Sequence, residues 1–275
     1  MKEINCKLIV SDFDGTLANS KNIVPQDVVD EINSYVAAGG IFAVCTGRIL
    51  PSILPRVRQM GLKGLVIASQ GSQIAEIGSG KLLRDTCFSP EQTAEICRVL
   101  EDISSNVQIY NSNGLYSSLP KGEKHLALYE SIIGVESAHA PLKLSEFALK
   151  CNERFGKAAT LCLPEEQEEI YSRLVERFGD KYDVTCSAKV LVEISPLGET
   201  KGSALKFLAD YYGVPMSQTC AVGDNLNDLS MLQAAKFGVA VANSARGLLD
   251  KVKYTTVSND EGAVKEVIKQ YGYKL

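Results

Sequence analysis

Acidic, hydroxyl and amine side chains of the kind that carry out chemistry occur in four short segments of this 275-residue chain. The segments are DFDGT from residue 12, TGR from residue 46, KG from residue 201 and GDNLND from residue 223. Three of them directly follow the apolar runs LIVS, IFAVC and TCAV. A carboxylate at the end of a buried strand costs free energy unless it is paired, so these residues are candidates for function.

The residue types in these segments suit phosphate chemistry beside a divalent cation. Clustered carboxylates repel one another unless a cation lies among them, and oxygen ligands of this kind suit Mg²⁺. Lysine and hydroxyl donors next to such an ion suit a phosphate group, whose negative charge they offset. If the four segments converge, the sequence predicts a site for Mg²⁺ and a phosphorylated ligand.

The elements that must bring these segments together form an alternating pattern of strands and helices. Apolar runs at 7–11, 41–46 and 64–69 predict buried strands, with helices between them. This order predicts an α/β fold with a parallel, doubly wound sheet. Ligands bind at the carboxyl edge of such a sheet, so we expect the segments to meet there.

A second unit interrupts this pattern. Hairpins mixed with helices follow the third strand, and the strand–helix alternation returns near residue 200. We therefore expect a catalytic core made of residues 1–84 and 190–275, with an inserted α+β cap over residues 85–189. This boundary places the strand predicted at 190–194 in the core. The stretch between the helix that ends near residue 133 and the strand AATLCL is expected to be loose.

Composition and charge narrow the class of protein. A net charge of −4 and a pI near 5.4 argue against a surface for nucleic acid or for an anionic membrane. No apolar run approaches the roughly 20 residues that span a bilayer, and the first residues lack the pattern of a secretion signal. Eight cysteines without a C-x-x-C pair are interpreted as reduced core thiols, so we expect a cytoplasmic protein.

Each segment taken alone also has an ordinary structural interpretation. The pair Asp14-Gly15 is a common turn former, and Asp228 could cap the following helix. A lone Lys201 would most often be solvated. The joint occurrence of these residues at predicted strand ends favours the functional interpretation.

These four segments, in this order, resemble the four motifs of the haloacid dehalogenase (HAD) superfamily of phosphohydrolases. The insert lies where type C2 caps of that superfamily occur. The segments LVEISPLGETKGSAL, GDNLNDLSML and YTTVSNDEGAV are similar to those of its Cof-type subfamily of sugar-phosphate and cofactor phosphatases, so the resemblance covers nearly the whole chain. It implies a HAD-like core and a Mg²⁺-dependent phosphomonoester hydrolase for small phosphorylated metabolites.

The resemblance also implies roles for the acidic residues. Asp12 would be the nucleophile that forms an aspartyl-phosphate, and Asp14 would be the general acid and base. Asp12, the main-chain carbonyl of Asp14 and Asp224 would hold Mg²⁺. Asp228 would support Lys201 or the waters of the metal ion.

The phosphoryl group would be held by a further set of residues that the same motifs supply. Thr46 and Lys201 would contact its oxygens, and Lys201 would also offset the negative charge around Asp12. Asn227 and the backbone of Phe13 and Gly47 are additional phosphate contacts that the resemblance implies.

One position departs from the subfamily. Cof-type proteins commonly carry an Asn-Gly pair after the third strand, whereas this chain has Gln70-Gly71. Glutamine keeps the amide and adds a methylene group. Gln70 is therefore a candidate for a residue that affects substrate specificity.

Two alternatives to a hydrolase remain. A phosphotransferase or phosphomutase would form the same aspartyl-phosphate and pass the group to another hydroxyl. A phospho-accepting signalling domain also places acids, a threonine and a lysine at strand ends, but such domains are short and lack a long insert. We expect a small phosphorylated molecule as the partner, no nucleic acid or membrane, and a monomer or small homo-oligomer.

Overall fold

The computed structural model describes residues 3–140, 143–188 and 190–274 of the chain. Their strands are β1 (Leu8–Ser11), β2 (Ile41–Cys45), β3 (Leu65–Ala68), β4 (Gln73–Glu76), β5 (Leu82–Asp85), β6 (Val107–Asn111), β7 (Gly114–Ser117), β8 (Ala138–His139), β9 (Lys157–Leu161), β10 (Tyr182–Ala188), β11 (Leu191–Pro196), β12 (Thr219–Gly223), β13 (Phe237–Ala240) and β14 (Tyr254–Thr255). Their helices are α1 (Gln26–Ala37), α2 (Leu50–Gln59), α3 (Pro90–Ile103), α4 (Lys124–Ile133), α5 (Leu144–Lys150), α6 (Gln167–Phe178), α7 (Lys201–Tyr211), α8 (Leu229–Ala234), α9 (Arg246–Leu249) and α10 (Ala263–Val267). Within these ranges, no helix combines the length and the apolar character that crossing a bilayer would need.

Strands from both parts of the chain form the first sheet, in the order β14-β13-β12-β1-β2-β3-β4-β5. β1 pairs in parallel with β2 on one side and with β12 on the other, so that Leu8 lies beside both Ile41 and Thr219. The pairs from β14 to β3 are parallel, and β4 and β5 extend the sheet in antiparallel pairs. The predicted parallel-sheet α/β fold is confirmed.

Helices cover both faces of the first sheet, as in a doubly wound fold. Ile9 of β1 belongs to a core that includes residues of α1, α2 and α10. Leu8 and Val10 belong to a second core, with residues of α7 and α8. β1 is therefore buried on both faces, which explains its continuous apolar sequence.

The second sheet has the strand order β10-β11-β9-β6-β7-β8 and is mostly antiparallel. Residues of α3, α5 and α6 form a core against it, including Leu100, Leu144 and Leu174. The sequence interpretation expected a loose stretch where α5 lies. α5 forms because Leu144 and Ala148, on one side of a helix, are both buried.

The second sheet also extends beyond the predicted insert. β11 forms a hairpin with β10, with Ala188 opposite Leu191, and pairs with β9 on its other side. The boundary expected after residue 189 placed this strand in the core, whereas its pairing places it in the second sheet. Residue 189 itself lies outside the described residues. The division of the chain into a core and a cap stays a prediction.

Gly202 allows the first turn of α7 to approach α8 closely. Its backbone N–H donates to Ser230 Oγ at 3.0 Å, and a Cβ on Gly202 would lie only 2.6 Å from Ser230 O. Lys201, the preceding residue, is 1% exposed. The KG pair therefore places a lysine inside the protein because the next residue has no side chain.

We expect Gly202→Ala to lower the free energy of unfolding by about 1–3 kcal/mol, because the added methyl group forces α7 and α8 apart. Urea unfolding of the wild type and the variant measures this difference. Gly78→Ala is the matched control, since a Cβ on Gly78 would meet nothing within 4 Å. Equal losses in the two variants would contradict the importance of the contact.

Candidate active site

The predicted segments meet at the carboxyl edge of the first sheet. Asp12 follows β1, Thr46 follows β2, and Asp224 follows β12. Because β1 lies between β2 and β12, the three strand ends are neighbours. A cavity of about 390 Å³ lies over this edge, and all three residues line it.

The turn after β1 brings Asp224 against the first motif. The chain turns at Gly15, whose φ is 73°, and a Cβ there would lie 2.6 Å from Asp224 Oδ2. Thr16 Oγ1 donates a hydrogen bond to Asp224 Oδ1 at 2.9 Å. Glycine is needed at this position both for the positive φ and for the close approach of the carboxylate.

A buried ammonium group joins two of the acids. Lys201 Nζ donates to Asp12 Oδ1 and to Asp228 Oδ1, each at 2.6 Å. The side chains of Lys201, Asp12 and Asp228 are 1%, 8% and 0% exposed. Burial alone would lower the pKa of Lys201, but the two carboxylates outweigh it and raise that pKa above its ordinary value. Lys201 is therefore a cation buried behind Asp12, which itself lines the cavity.

Both oxygens of Asp228 are engaged by the protein itself. Oδ1 accepts from Lys201, and Oδ2 accepts from the backbone N–H groups of Asp224 and Asn225, each at 2.9 Å. These bonds orient Lys201 and hold the turn that carries Asp224. This geometry fits the supporting role expected for Asp228.

The donor set of the site fits a hard divalent cation. One carboxylate oxygen from each of Asp12, Asp224 and Asp228 lies within 4.8 Å of the others. In the part of the chain that the structure describes, the Lys201 ammonium offsets one of these three charges. Burial and then the Asp228 carboxylate raise the pKa of Asp224 to about 6, and a bound cation would relieve that repulsion. Because Asp228 is already engaged, Asp12 and Asp224 are the side chains best placed to hold Mg²⁺.

The carboxylate of Asp14 pairs with Arg48. Arg48 Nε donates to Asp14 Oδ2 and Arg48 Nη2 donates to Asp14 Oδ1, both at 2.7 Å. The Asp14 side chain is 51% exposed and lines the cavity, whereas that of Arg48 is 8% exposed. The two acids of DFDGT therefore lie in different environments. No role was predicted for Arg48, although it directly follows Thr46-Gly47 in the sequence.

Three of the five residues predicted to contact phosphate line this cavity, and Lys201 and Phe13 are not among its lining residues. Thr46, Gly47 and Asn227 line the cavity. Thr46 Oγ1 accepts the backbone N–H of Arg48 at 3.1 Å, which leaves its hydroxyl proton for another acceptor. The Phe13 side chain is buried in the core, and its backbone belongs to the turn after Asp12.

Gln70 lies behind this cavity and contacts two of its lining residues. Its Oε1 accepts from Asn227 Nδ2 at 3.1 Å, and its Nε2 lies 3.5 Å from Glu193 Oε2. Its φ is 62°, an unfavourable value for a residue other than glycine. A Cβ on Gly47 would lie 2.6 Å from Gln70 Nε2, so the glycine makes room for the amide. Gln70 is therefore connected to the cavity through Asn227 and Glu193, which line it.

Two buried charges of the second sheet reach this cavity and were missed by sequence reasoning. Lys157 Nζ donates to Glu193 Oε1 at 2.5 Å and to Gly47 O at 3.2 Å. Their side chains are 3% and 1% exposed, and both residues line the cavity. Each interrupts an apolar strand, in GKAATL and LVEIS. A charge within a buried strand is the signal that could have identified them.

An apolar wall lies above the acids. It is formed by Tyr129, Ile132 and Ile133 of α4 and by Leu191 of β11. Ile133 and Leu191 pack in one cluster with Ile49, which follows β2. The second sheet and α4 therefore enclose the cavity from the side opposite the first sheet.

Comparison with known proteins gives matches over nearly the full length. The model of the family described as haloacid dehalogenase-like hydrolase matches residues 9–268. A 5-amino-6-(5-phospho-D-ribitylamino)uracil phosphatase of Bacillus subtilis is 27% identical in an alignment that covers 96% of this chain and 97% of the relative. The HMP-PP phosphatase of Serratia proteamaculans is 25% identical, covering 86% of this chain and 84% of the relative. A solved haloacid dehalogenase-like hydrolase of Bacillus subtilis has a TM-score of 0.82 at 26% identity, over 96% of this chain and 99% of that one.

We expect Mg²⁺ to raise the midpoint of thermal unfolding, because an ion that binds only the folded state adds about 2.7 kcal/mol of stability at 100 times its dissociation constant. Asp224→Asn should remove most of this rise, since it deletes a ligand and a negative charge. Asp102→Asn, at an exposed position of α3, is the control and should keep the rise. Calorimetry with and without MgCl₂ measures both variants. A full rise in Asp224→Asn would contradict the assignment.

Proposed function

This chain belongs to the haloacid dehalogenase-like hydrolase family, and on that basis we propose that it hydrolyses phosphate monoesters of small metabolites, with Mg²⁺, through an aspartyl-phosphate on Asp12. Its relatives are named as phosphatases, and the chain is a phosphoric monoester hydrolase. The observation that carries the mechanism is the buried Lys201, held between Asp12 and Asp228, two of the three clustered acids.

The substrate class follows from the size of the cavity and from the relatives. A cavity of about 390 Å³ suits a small phosphorylated metabolite. The relatives act on a phosphoribitylamino-uracil and on HMP-PP by their names, so we propose sugar phosphates or phosphorylated cofactors here. A panel of sugar phosphates, nucleotides, pyridoxal phosphate and flavin mononucleotide, assayed for released phosphate, tests this class.

In the first half of the reaction the Asp12 carboxylate attacks phosphorus. A bond forms between an Asp12 oxygen and phosphorus, the bond from phosphorus to the ester oxygen breaks, and its electron pair goes to that oxygen. Asp14 then gives the leaving alcohol its proton. Lys201 keeps the other Asp12 oxygen in place during the attack.

In the second half water hydrolyses the intermediate. Asp14 takes a proton from the water as its oxygen attacks phosphorus, and the bond between phosphorus and Asp12 breaks. The electron pair returns to the Asp12 carboxylate and inorganic phosphate leaves. Two carboxylates are needed because the one that carries the phosphoryl group cannot also carry the proton.

The remaining residues hold charge and position. The phosphoryl oxygens would be contacted by Thr46, Lys201, Asn227 and the backbone N–H groups of Phe13 and Gly47. Mg²⁺, held by Asp12, Asp224 and the main-chain carbonyl of Asp14, supplies charge neutralisation at those oxygens when bound.

We assign the second sheet and the helices packed with it the role of a cap. α4 and β11 provide the apolar wall of the cavity, which would exclude bulk water from the bound ester. Gln70 would affect specificity indirectly, since it contacts Asn227 in the lining of the cavity and Glu193 on the second sheet.

We expect Asp12→Asn to reduce Mg²⁺-dependent hydrolysis of p-nitrophenyl phosphate to background, because an amide does not attack phosphorus. The residue keeps its size, so the variant should stay folded, which circular dichroism checks. Steady-state release of phosphate is the measurement. Turnover at the wild-type rate would exclude Asp12 as the nucleophile.

We expect Asp14→Asn to lower kcat by about 10²–10⁴-fold, because general acid and base catalysis is lost while the nucleophile remains. An activated aryl phosphate, whose leaving group needs no proton, should still phosphorylate the variant. Intact-mass spectrometry of the acid-quenched protein detects the added phosphoryl group. If no phospho-enzyme accumulates, the proposed division of labour between the two acids is wrong.

A further inference from the structure

We propose that Arg48 is a positioning residue that couples the docking of α4 to the orientation of the Asp14 carboxylate. The inference rests on the proposed function, because that function assigns proton transfer to Asp14. The coupling is carried by one guanidinium group that contacts Asp14 on one side and the last turn of α4 on the other.

The contact with Asp14 fixes the plane of its carboxylate. Two parallel hydrogen bonds of 2.7 Å leave the group no freedom to rotate while Arg48 stays in place. Asp14 is half-exposed, and an isolated ion pair at such a position contributes little. The orientation of Asp14 therefore depends on what holds Arg48.

Arg48 is held by the C-terminal end of α4. Its Nη1 donates to Ile132 O at 3.3 Å and to Ser52 Oγ at 3.2 Å. Ser52 Oγ in turn donates to Ile133 O at 2.5 Å. The helix ends at Ile133 and is capped by Gly134, so these carbonyls belong to its last turn, where they carry partial negative charge and attract a cation.

Further contacts tie Arg48 to the first sheet and to the loop before α1, where its Nη2 donates to Asn22 Oδ1 at 3.4 Å. Its guanidinium lies 5.5 Å from the centre of the ring of Phe13, the residue that separates the two acids in the sequence. Its backbone N–H donates to Thr46 Oγ1. Movement of α4 away from the site would thus remove Ile132 O from Arg48 and Ile133 O from Ser52, while the backbone of Arg48 stays with the catalytic edge.

The same helix end encloses the cavity. Ile132 and Ile133 line it with their side chains, and their carbonyls hold Arg48 and Ser52. Docking of α4 therefore closes the cavity and orients Asp14 in one event. Asp14 acts on water in the hydrolysis of phospho-Asp12, and this is the step that the enclosed arrangement, with both Asp14 oxygens held by Arg48, would support.

The test separates the two chemical steps with 2,4-dinitrophenyl phosphate. This leaving group needs no proton donor, so kcat/KM reports phosphorylation of Asp12 and kcat reports hydrolysis of the intermediate. For Arg48→Ala we expect kcat to fall by at least about tenfold, with kcat/KM within about threefold of the wild type. A burst of dinitrophenolate and accumulated phospho-enzyme should accompany this, and added guanidinium should partly restore kcat.

Three further variants distinguish a positioning role of Arg48 from a structural one. Ser52→Ala, which loses the bond to Ile133 O, should show a smaller fall in kcat in the same direction. Arg48→Lys keeps a cation without the two-point contact and should lie between the wild type and Arg48→Ala, and it serves if the alanine variant does not fold. Arg56→Ala is the control, since Arg56 lies 5.8 Å from the same Phe13 ring, and it should behave as the wild type.

Three results would overturn the coupling. A raised KM with kcat unchanged in Arg48→Ala would make Arg48 a phosphate-binding residue instead. Unchanged kcat in both Arg48→Ala and Ser52→Ala would show that Asp14 needs no positioning. Equal falls in kcat and kcat/KM without rescue by guanidinium would show a merely structural role. Failure of the proposed function is a separate outcome, in which the wild type itself gives no turnover that depends on Asp12.

Discussion

The interaction on which the site depends is the buried contact of Lys201 with Asp12 and Asp228. A charge removed from water must find its partners inside the protein, and here they come from the end of β1 and the turn after β12. The parallel pairing of β1 with β12 places those partners side by side, and Gly202 lets the start of α7 reach them. The fold is therefore specified at this point by electrostatics as well as by apolar packing. Lys201 offsets only part of the negative charge of Asp12, Asp224 and Asp228, and the charge that remains favours the binding of a cation.

Burial and charge pairing also distinguish two aspartates that are separated by only one residue in the sequence. Asp12 is buried against an ammonium that stays in place, whereas Asp14 is half-exposed and held by a guanidinium whose own position depends on α4. A nucleophile benefits from a fixed environment. A residue that gains and loses protons benefits from an environment that changes when the substrate is enclosed.

The alternation of apolar runs and helices was sufficient to predict the parallel sheet and the meeting of the motifs at its carboxyl edge. Both follow from local pattern, because strands buried on both faces and their polar ends are visible in the sequence. The same pattern did not predict which sheet contains β11. Its sequence, LVEIS, fits a strand of either sheet, and only the hairpin with β10 assigns it to the second. The roles of Lys157 and Glu193 were not predictable for the same reason, because each residue is paired with the other across two strands that are far apart in the sequence. Arg48 was overlooked because its importance comes from carbonyl groups of α4, which carry no side-chain signature.

The position of β1 in the middle of the first sheet has a consequence for biosynthesis. The ribosome delivers β1 and β2 early, but the other neighbour of β1 is β12, which emerges only after the whole second sheet. Until then one edge of a strand that is apolar on both faces lacks its partner, and such edges are sites of aggregation. All strands of the second sheet lie between β5 and α7 in the chain, so this sheet can form during the interval. The nascent chain thus carries a nucleophile without its lysine until residue 201 of 275 has been added, so catalytic competence is reached only with the last third of the protein.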